Sequence, residues 1–176
     1  MKLFTIDRAR QLKANDTIRL FNDYAYVENT EETEQWLQLV RNQYPAGISE
    51  HGNRYLFDET GSTDKLCEII FEYVRQQRYS DQLSRFQSFF AVEATDIDRL
   101  VTILDCNPGQ YQVFEVSGDR IEKHDMLLLK GSSFVNCSYY ANQYWSGGHT
   151  ESPLYEYLIE PPVNIIRRVD VIDSLE

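Results

Sequence analysis

Two helix-type hydrophobic patterns are complete before the first strand-like run in the middle of the chain. Thr30 is a plausible N-cap, with Glu31, Glu32 and Glu34 favourably placed in the first turn. Trp36, Leu37, Leu39 and Val40 then follow on one side, and the helix stops before Tyr44-Pro45, because the residue preceding a proline avoids the helical region. Ser62 caps a second pattern in which Leu66, Ile69, Ile70, Tyr73 and Val74 recur at helical spacing and are expected to face the core. Only then comes Phe86–Val92, which reads as a strand. This order excludes regular β-α alternation and predicts an α+β fold with a mixed sheet rather than a doubly wound one.

The remaining punctuation is consistent with that class. Lys2–Ile6 reads as a first strand, and residues 45–61 read as a loop. Thr95 and Asp98 are spaced as a capping box for a helix carrying Ile97, Leu100, Val101 and Leu104. Asn107-Pro108-Gly109 is a stop and turn. Tyr111–Val116 alternates as a strand, and Met126–Leu129 is a further short strand or apolar run. Ser133–Trp145 reads as a helix broken by Ser146-Gly147-Gly148. Leu154–Ile159 and Val163–Ile172 are two strands across Pro161-Pro162, expected to pair as neighbours. With no repeat, low-complexity tract or linker, residues 1–176 are expected to form one domain.

Composition narrows the function classes. The formal net charge is -11, from 28 acidic and 17 basic residues, which predicts solubility and no general affinity for phosphate backbones. Twelve Tyr and nine Phe are many for this length, and such rings fill cores or stack on flat ligands. Cys67, Cys106 and Cys137 have neither paired nor zinc-type spacing and read as structural. No metal is expected. The opening MKLFTIDRARQL has no long apolar core, and no run of about 18 apolar residues occurs, so no membrane association and a cytoplasmic location are expected. Glycine-rich phosphate loops are absent.

Three segments carry a family resemblance: LFTIDRARQLKANDTI at 3–18, SRFQSFFAVE at 84–93 and LYEYLIEPPVNIIRRVDVI at 154–172. In this order they resemble the three characteristic segments of the ADP-ribosyltransferases. The whole chain also looks like a small family of bacterial and phage proteins of unknown function that share YPAGISEHG, SRFQSFFA, YW-S-G and a late Glu followed by paired prolines. The resemblance implies a mixed-sheet α+β domain of ADP-ribosyltransferase type and a mono-ADP-ribosyl transfer from NAD, a glycosyltransferase chemistry. Glu156, at the head of Glu156-Tyr157-Leu158-Ile159-Glu160-Pro161-Pro162, takes the catalytic position. A carboxylate there stabilises the cationic ribosyl group that forms as the nicotinamide bond breaks.

The resemblance places Thr5, Arg8, His51, Arg85, Ser88 and Phe90 around NAD, and Tyr144 and Trp145 against the acceptor. Each has a plainer alternative. Ser88 is also a small residue for a tight core position, Arg85 a surface arginine, and His51 a loop residue. Tyr144 and Trp145 also read as the core-facing end of a helix. Two positions depart from the pattern. Thr5 stands where the family places His or Arg, with Arg8 the nearest substitute, and Leu154 stands where arginine-directed members carry Glu or Gln. The acceptor implied is a nucleic-acid base or a protein side chain, in the setting of a toxin, phage defence or counter-defence. The alternative is a catalytically inactive member whose acidic surface binds a basic protein partner in a toxin–antitoxin pair.

Overall fold

The computed structural model describes residues 1–23, 30–57, 63–107 and 109–169. It is a mixed α/β fold of two antiparallel sheets and five helices among those residues. The strands are β1 (Leu3–Asp7), β2 (Thr17–Ile18), β3 (Phe89–Ala91), β4 (Gln112–Ser117), β5 (Ile121–Asp125), β6 (Tyr155–Ile159) and β7 (Val163–Val169). The helices are α1 (Glu31–Gln43), α2 (Glu50–Phe57), α3 (Thr63–Arg78), α4 (Ile97–Ile103) and α5 (Phe134–Trp145). One sheet has the order β1-β4-β7-β2 and the other β3-β6-β5. Every strand pairing among the described residues is antiparallel, where a mixed sheet was expected. The two sheets meet where Phe4 and Val92 exchange backbone hydrogen bonds of 2.9 and 2.8 Å. That contact sets β1 beside the end of β3.

Local chemistry explains the helix ends. Thr30 caps α1 in a reciprocal box with Thr33, and α1 ends with the Tyr44 N–H on the Val40 carbonyl, one residue before Pro45. Ser133 and Asn136 form the same box at α5. That helix closes where Gly147 takes a left-handed φ of 81°. Helices α3 and α5 pack through Cys67, Phe71, Cys137, Tyr144 and Trp145. The Cys67 and Cys137 thiols are free, buried and 3.1 Å apart.

Several elements differ from expectation. The sequence 45–61 contains α2, a helix of 8 residues whose pattern His51-Gly52-Asn53-Arg54 has little apolar periodicity. Its first turn is fixed by Ser49 Oγ, which accepts the Gly52 N–H. Residues 85–87 form a 3-10 turn before β3, so strand alternation does not align Phe86, Ser88 and Phe90 on one face. Met126–Leu128 is likewise a 3-10 turn, nucleated by the Asp125 carboxylate accepting the Leu127 N–H. Helix α4 starts at Ile97 out of a 3-10 turn, so Thr95 lies too early to cap it and the box with Asp98 does not form. Strands β6 and β7 do not pair, because the chain changes sheet across Pro161-Pro162. On α1 and α3, Leu37, Ile70 and Val74 are buried, but Trp36, Leu39, Leu66, Ile69 and Tyr73 are exposed. The inner face of α3 carries Glu68, Glu72 and Arg75 instead. The Ser62 cap, Pro108 and the strand continuation to Ile172 lie outside the described residues.

Gly52 holds α2 against the 3-10 turn. A Cβ there would press on the Phe86 carbonyl oxygen, closer than the 3.0 Å that Cβ contacts respect. Replacing glycine by alanine inside a helix ordinarily gains up to about 1 kcal/mol. Here the clash is with backbone and reverses the sign. Gly52→Ala is expected to destabilise by about 1–3 kcal/mol, lowering Tm by roughly 2–4 °C per kcal/mol in thermal denaturation. A Tm equal to or above wild type would show that α2 does not depend on this approach.

Candidate functional site

The site begins with a buried arginine. Ser84 Oγ accepts the Phe86 N–H and starts the 3-10 turn, which directs Arg85 inward, where it is 3% exposed. From α3, Glu68 meets it in a two-pronged pair. Arg85 Nε donates to Glu68 Oε2 at 2.8 Å and Nη2 to Oε1 at 2.9 Å. From β6, Glu156 Oε1 accepts the third branch, Nη1. Tyr144, from the last turn of α5, closes the triangle. Its hydroxyl accepts from Arg85 Nη1 at 2.9 Å and donates to Glu156 Oε1 at 2.7 Å. The guanidinium also lies 4.8 Å from the centre of the Phe90 ring, a favourable cation–π separation. Two pairs of elements far apart in sequence, α3 with the 85–87 turn and α5 with β6, are tied together by one side chain.

Burial alone would raise the Glu68 carboxyl pKa. Arg85 and then His51 outweigh it and hold that carboxyl far below the ordinary value of 4.5. Burial likewise works against the Arg85 cation, but Glu156 and Glu68 keep its pKa well above the usual guanidinium value. Tyr144 is pushed well up, first by burial, so its O–H stays in place as a donor. Two carboxylates converge on one guanidinium, so negative charge is in excess around it.

A pocket of about 230 Å³ opens onto this cluster. Thr5 and Arg8 line it from β1 and the segment after it, Phe90 from β3, His51 from α2, and Arg85 and Glu156 from the cluster. Six of the sequence candidates therefore share one cavity. His51 sits between the Tyr55 and Phe90 rings, 4.7 and 4.6 Å between centroids. Its Nε2 is buried and comes within 3.4 Å of Glu68 Oε2, without the alignment of a hydrogen bond. Thr5 is nearly buried on β1, whereas Arg8 is exposed at the rim. Glu156 is 5% exposed, and among the described residues its Oε2 takes no hydrogen bond.

Three candidates stand elsewhere. Ser88 does not line the pocket; its hydroxyl donates to the Ser84 carbonyl at 2.7 Å and closes the 3-10 turn. Tyr144 is buried beneath the cavity floor, holding Glu156 rather than facing solvent. Trp145 is buried in the α3–α5 core with its indole N–H on the Phe71 carbonyl at 2.9 Å. Neither ring is placed to stack on a large external group. Glu68 was not singled out from the sequence. Its signal was a helical face on which Glu68, Glu72 and Arg75 recur at spacings of four and three beside Phe71 and Val74. Among the described residues no group of three or more His, Cys, Asp or Glu is arranged to hold a metal ion, and no helix is long and apolar enough to cross a membrane.

Residues 3–173 match the family described as "Protein of unknown function (DUF2441)", and the chain belongs to that family. No curated protein matches it.

Removing the guanidinium tests the cluster. Arg85→Met leaves two buried carboxylates without a counter-ion and is expected to cost on the order of 3–5 kcal/mol at neutral pH. Because Arg85 depresses the Glu68 carboxyl, its contribution is fully present above the ordinary value near 4.5 and is lost as pH falls below it. The gap in Tm between wild type and Arg85→Met should therefore narrow as pH falls below 4.5. A gap that stays constant down to pH 3 would contradict the pairing.

Proposed function

We propose that the chain is an NAD-dependent mono-ADP-ribosyltransferase in which Glu156 is the catalytic carboxylate. The observation that carries this reading is Glu156 itself. One of its oxygens is fixed by Arg85 and Tyr144 while the other takes no partner among the described residues and lines an aromatic-walled cavity. Fixed geometry is what a carboxylate needs to stabilise a short-lived cation. The excess negative charge of the Glu68–Arg85–Glu156 cluster suits the positively charged nicotinamide ring of NAD, and Phe90 offers a flat face for it. A volume of about 230 Å³ matches the nicotinamide end of NAD rather than the whole dinucleotide. The pyrophosphate would then lie along the open rim by Arg8, and Thr5 would bond a ribose hydroxyl. The acceptor class is a nucleic-acid base or a protein side chain in the cytoplasm, and the setting of a toxin, phage defence or counter-defence rests on the family resemblance alone.

One observation favours the second reading, an inactive member that binds a basic protein partner. Arg85 is fully occupied by Glu68, Tyr144 and Glu156. Among the described residues lining the pocket, that leaves Arg8 as the one other arginine or lysine for a pyrophosphate, because Thr5 carries no charge.

Labelling of a cell extract with 32P-NAD, separated into protein and nucleic acid, distinguishes the two. Wild type should transfer label to one fraction, and Glu156→Gln should lower the rate by about 10²-fold or more. NAD at a hundredfold excess over its Kd should stabilise either protein by about 2.7 kcal/mol. No label and no stabilisation, with both proteins folded, would remove the transferase reading and favour the binding module.

A further inference from the structure

Tyr144 has a second neighbour, on β5. The His124 ring stacks on the Tyr144 ring with 4.4 Å between centroids and 18° between planes, and Trp145 meets it edge-on at 5.2 Å. His124 is the cross-strand partner of Glu156 and is 5% exposed. Its Nδ1 lies 3.1 Å from the Tyr144 carbonyl oxygen. A carbonyl only accepts, so Nδ1 carries a proton and the neutral ring keeps its lone pair on Nε2. Burial pushes the ring pKa below 6.5, which favours that neutral form. Nε2 is buried and has no hydrogen-bond partner among the described residues. Such atoms are uncommon in folded proteins and call for a partner.

The surroundings define what that partner is. Glu122 Oε2 lies 3.8 Å from His124 Nε2, too far for a direct bond and a span that two N–H groups of one ligand can cover. Both residues line a pocket of about 250 Å³ with Gln82, Lys123, Trp145, Ser146 and Gly147, and it shares no lining residue with the Glu156 cavity. The charged groups nearby leave room for a cation. Lys123 turns its ammonium over the Tyr155 ring at 4.0 Å. Arg120 takes the other Glu122 oxygen at 2.9 Å from a half-exposed position. Among the described residues, Glu122 Oε2 accepts only the Leu83 N–H, at 2.7 Å. The Gly147 N–H is committed to the Tyr144 carbonyl and the Ser146 hydroxyl to the Gln143 carbonyl. The pocket thus presents acceptors, and these two donors are already used.

We propose that this pocket is a binding site for a guanidinium group, whose planar fork of N–H donors bonds His124 Nε2 and the Glu122 carboxylate together. A planar, charged donor fork satisfies two acceptors this far apart better than a point-like ammonium does. The volume fits a side-chain-sized group, below the roughly 300–1,000 Å³ typical of whole-ligand pockets. The proposal is independent of the transferase reading, since none of its residues belongs to the Glu156 cavity.

The test is titration of the intact protein with ethylguanidinium, and with ethylurea as the neutral analogue, followed through the His124 and Trp145 ring resonances by NMR. Ethylguanidinium should bind at this pocket and ethylurea at least about tenfold more weakly. Glu122→Gln should weaken ethylguanidinium about tenfold, and His124→Phe, which keeps a ring on Tyr144 and removes the lone pair, should abolish the effect on Trp145. If His124→Phe does not fold, Glu122→Gln decides alone. A pentapeptide Ala-Ala-Arg-Ala-Ala amide that binds as well as ethylguanidinium assigns the group to a protein side chain, and one that fails where ethylguanidinium binds assigns it to a free small molecule. No ethylguanidinium binding, equal binding of the urea, or binding unaffected by Glu122→Gln would overturn the proposal.

Discussion

The buried guanidinium of Arg85 is the constraint around which the molecule is arranged. It cannot lie at 3% exposure without opposite charges at hydrogen-bond distance. Glu68 supplies one from α3 and Glu156 supplies the other from β6, so the helix layer and the three-stranded sheet are locked in relative position. Tyr144 does the same for α5. A pair of this kind contributes little net stability compared with well-packed apolar residues, but it punishes any arrangement that separates its members. It therefore specifies the fold near the cavity more than it stabilises it. The apolar clusters around Phe71, Tyr144 and Leu158, and around Leu3, Phe114 and Ile165, provide the bulk stability.

The same arrangement gives the cavity its chemical character. One wall comes from β1 through Thr5, one from β3 through Phe90, and the floor is charged and fixed. The bridge between Phe4 and Val92 brings these walls together, since it joins the two sheets just where the cavity opens. Glu68 and Glu156, the carboxylates paired with Arg85, sit on a helix and a strand, an arrangement that holds side chains in fixed geometry. Tyr144 acts as a partition. One side of its environment is the Glu156 cluster, and the other is His124 with its own pocket.

Much of this was legible in the sequence, and the failures have physical causes. The α1 cap at Thr30, the stop before Pro45, and the α5 break at Ser146-Gly147-Gly148 follow from local chemistry and are where local rules place them. Six candidates drawn from four distant segments converge on one cavity. The errors lie where tertiary contacts override local pattern. The 3-10 turn at 85–87 is too short to have a period, so it read as strand, and with it Ser88 was turned toward the cavity instead of toward Ser84. Sequence-adjacent strands usually pair, but β6 and β7 are divided between sheets, and nothing local to Pro161-Pro162 reveals that. Glu68 hid because a helical glutamate reads as solvated until an inward arginine is known to face it.

In the proposed binding mode the nicotinamide end of NAD would occupy the cavity with its ribose at the unpartnered oxygen of Glu156. A crystal structure of the protein soaked with NAD tests it most directly. Density is expected for the ring against Phe90, with a ribose hydroxyl within hydrogen-bond distance of Glu156 Oε2 and the Arg85–Glu156 pair intact. An unchanged, empty cavity at saturating NAD, or density for the dinucleotide on another face, would contradict it.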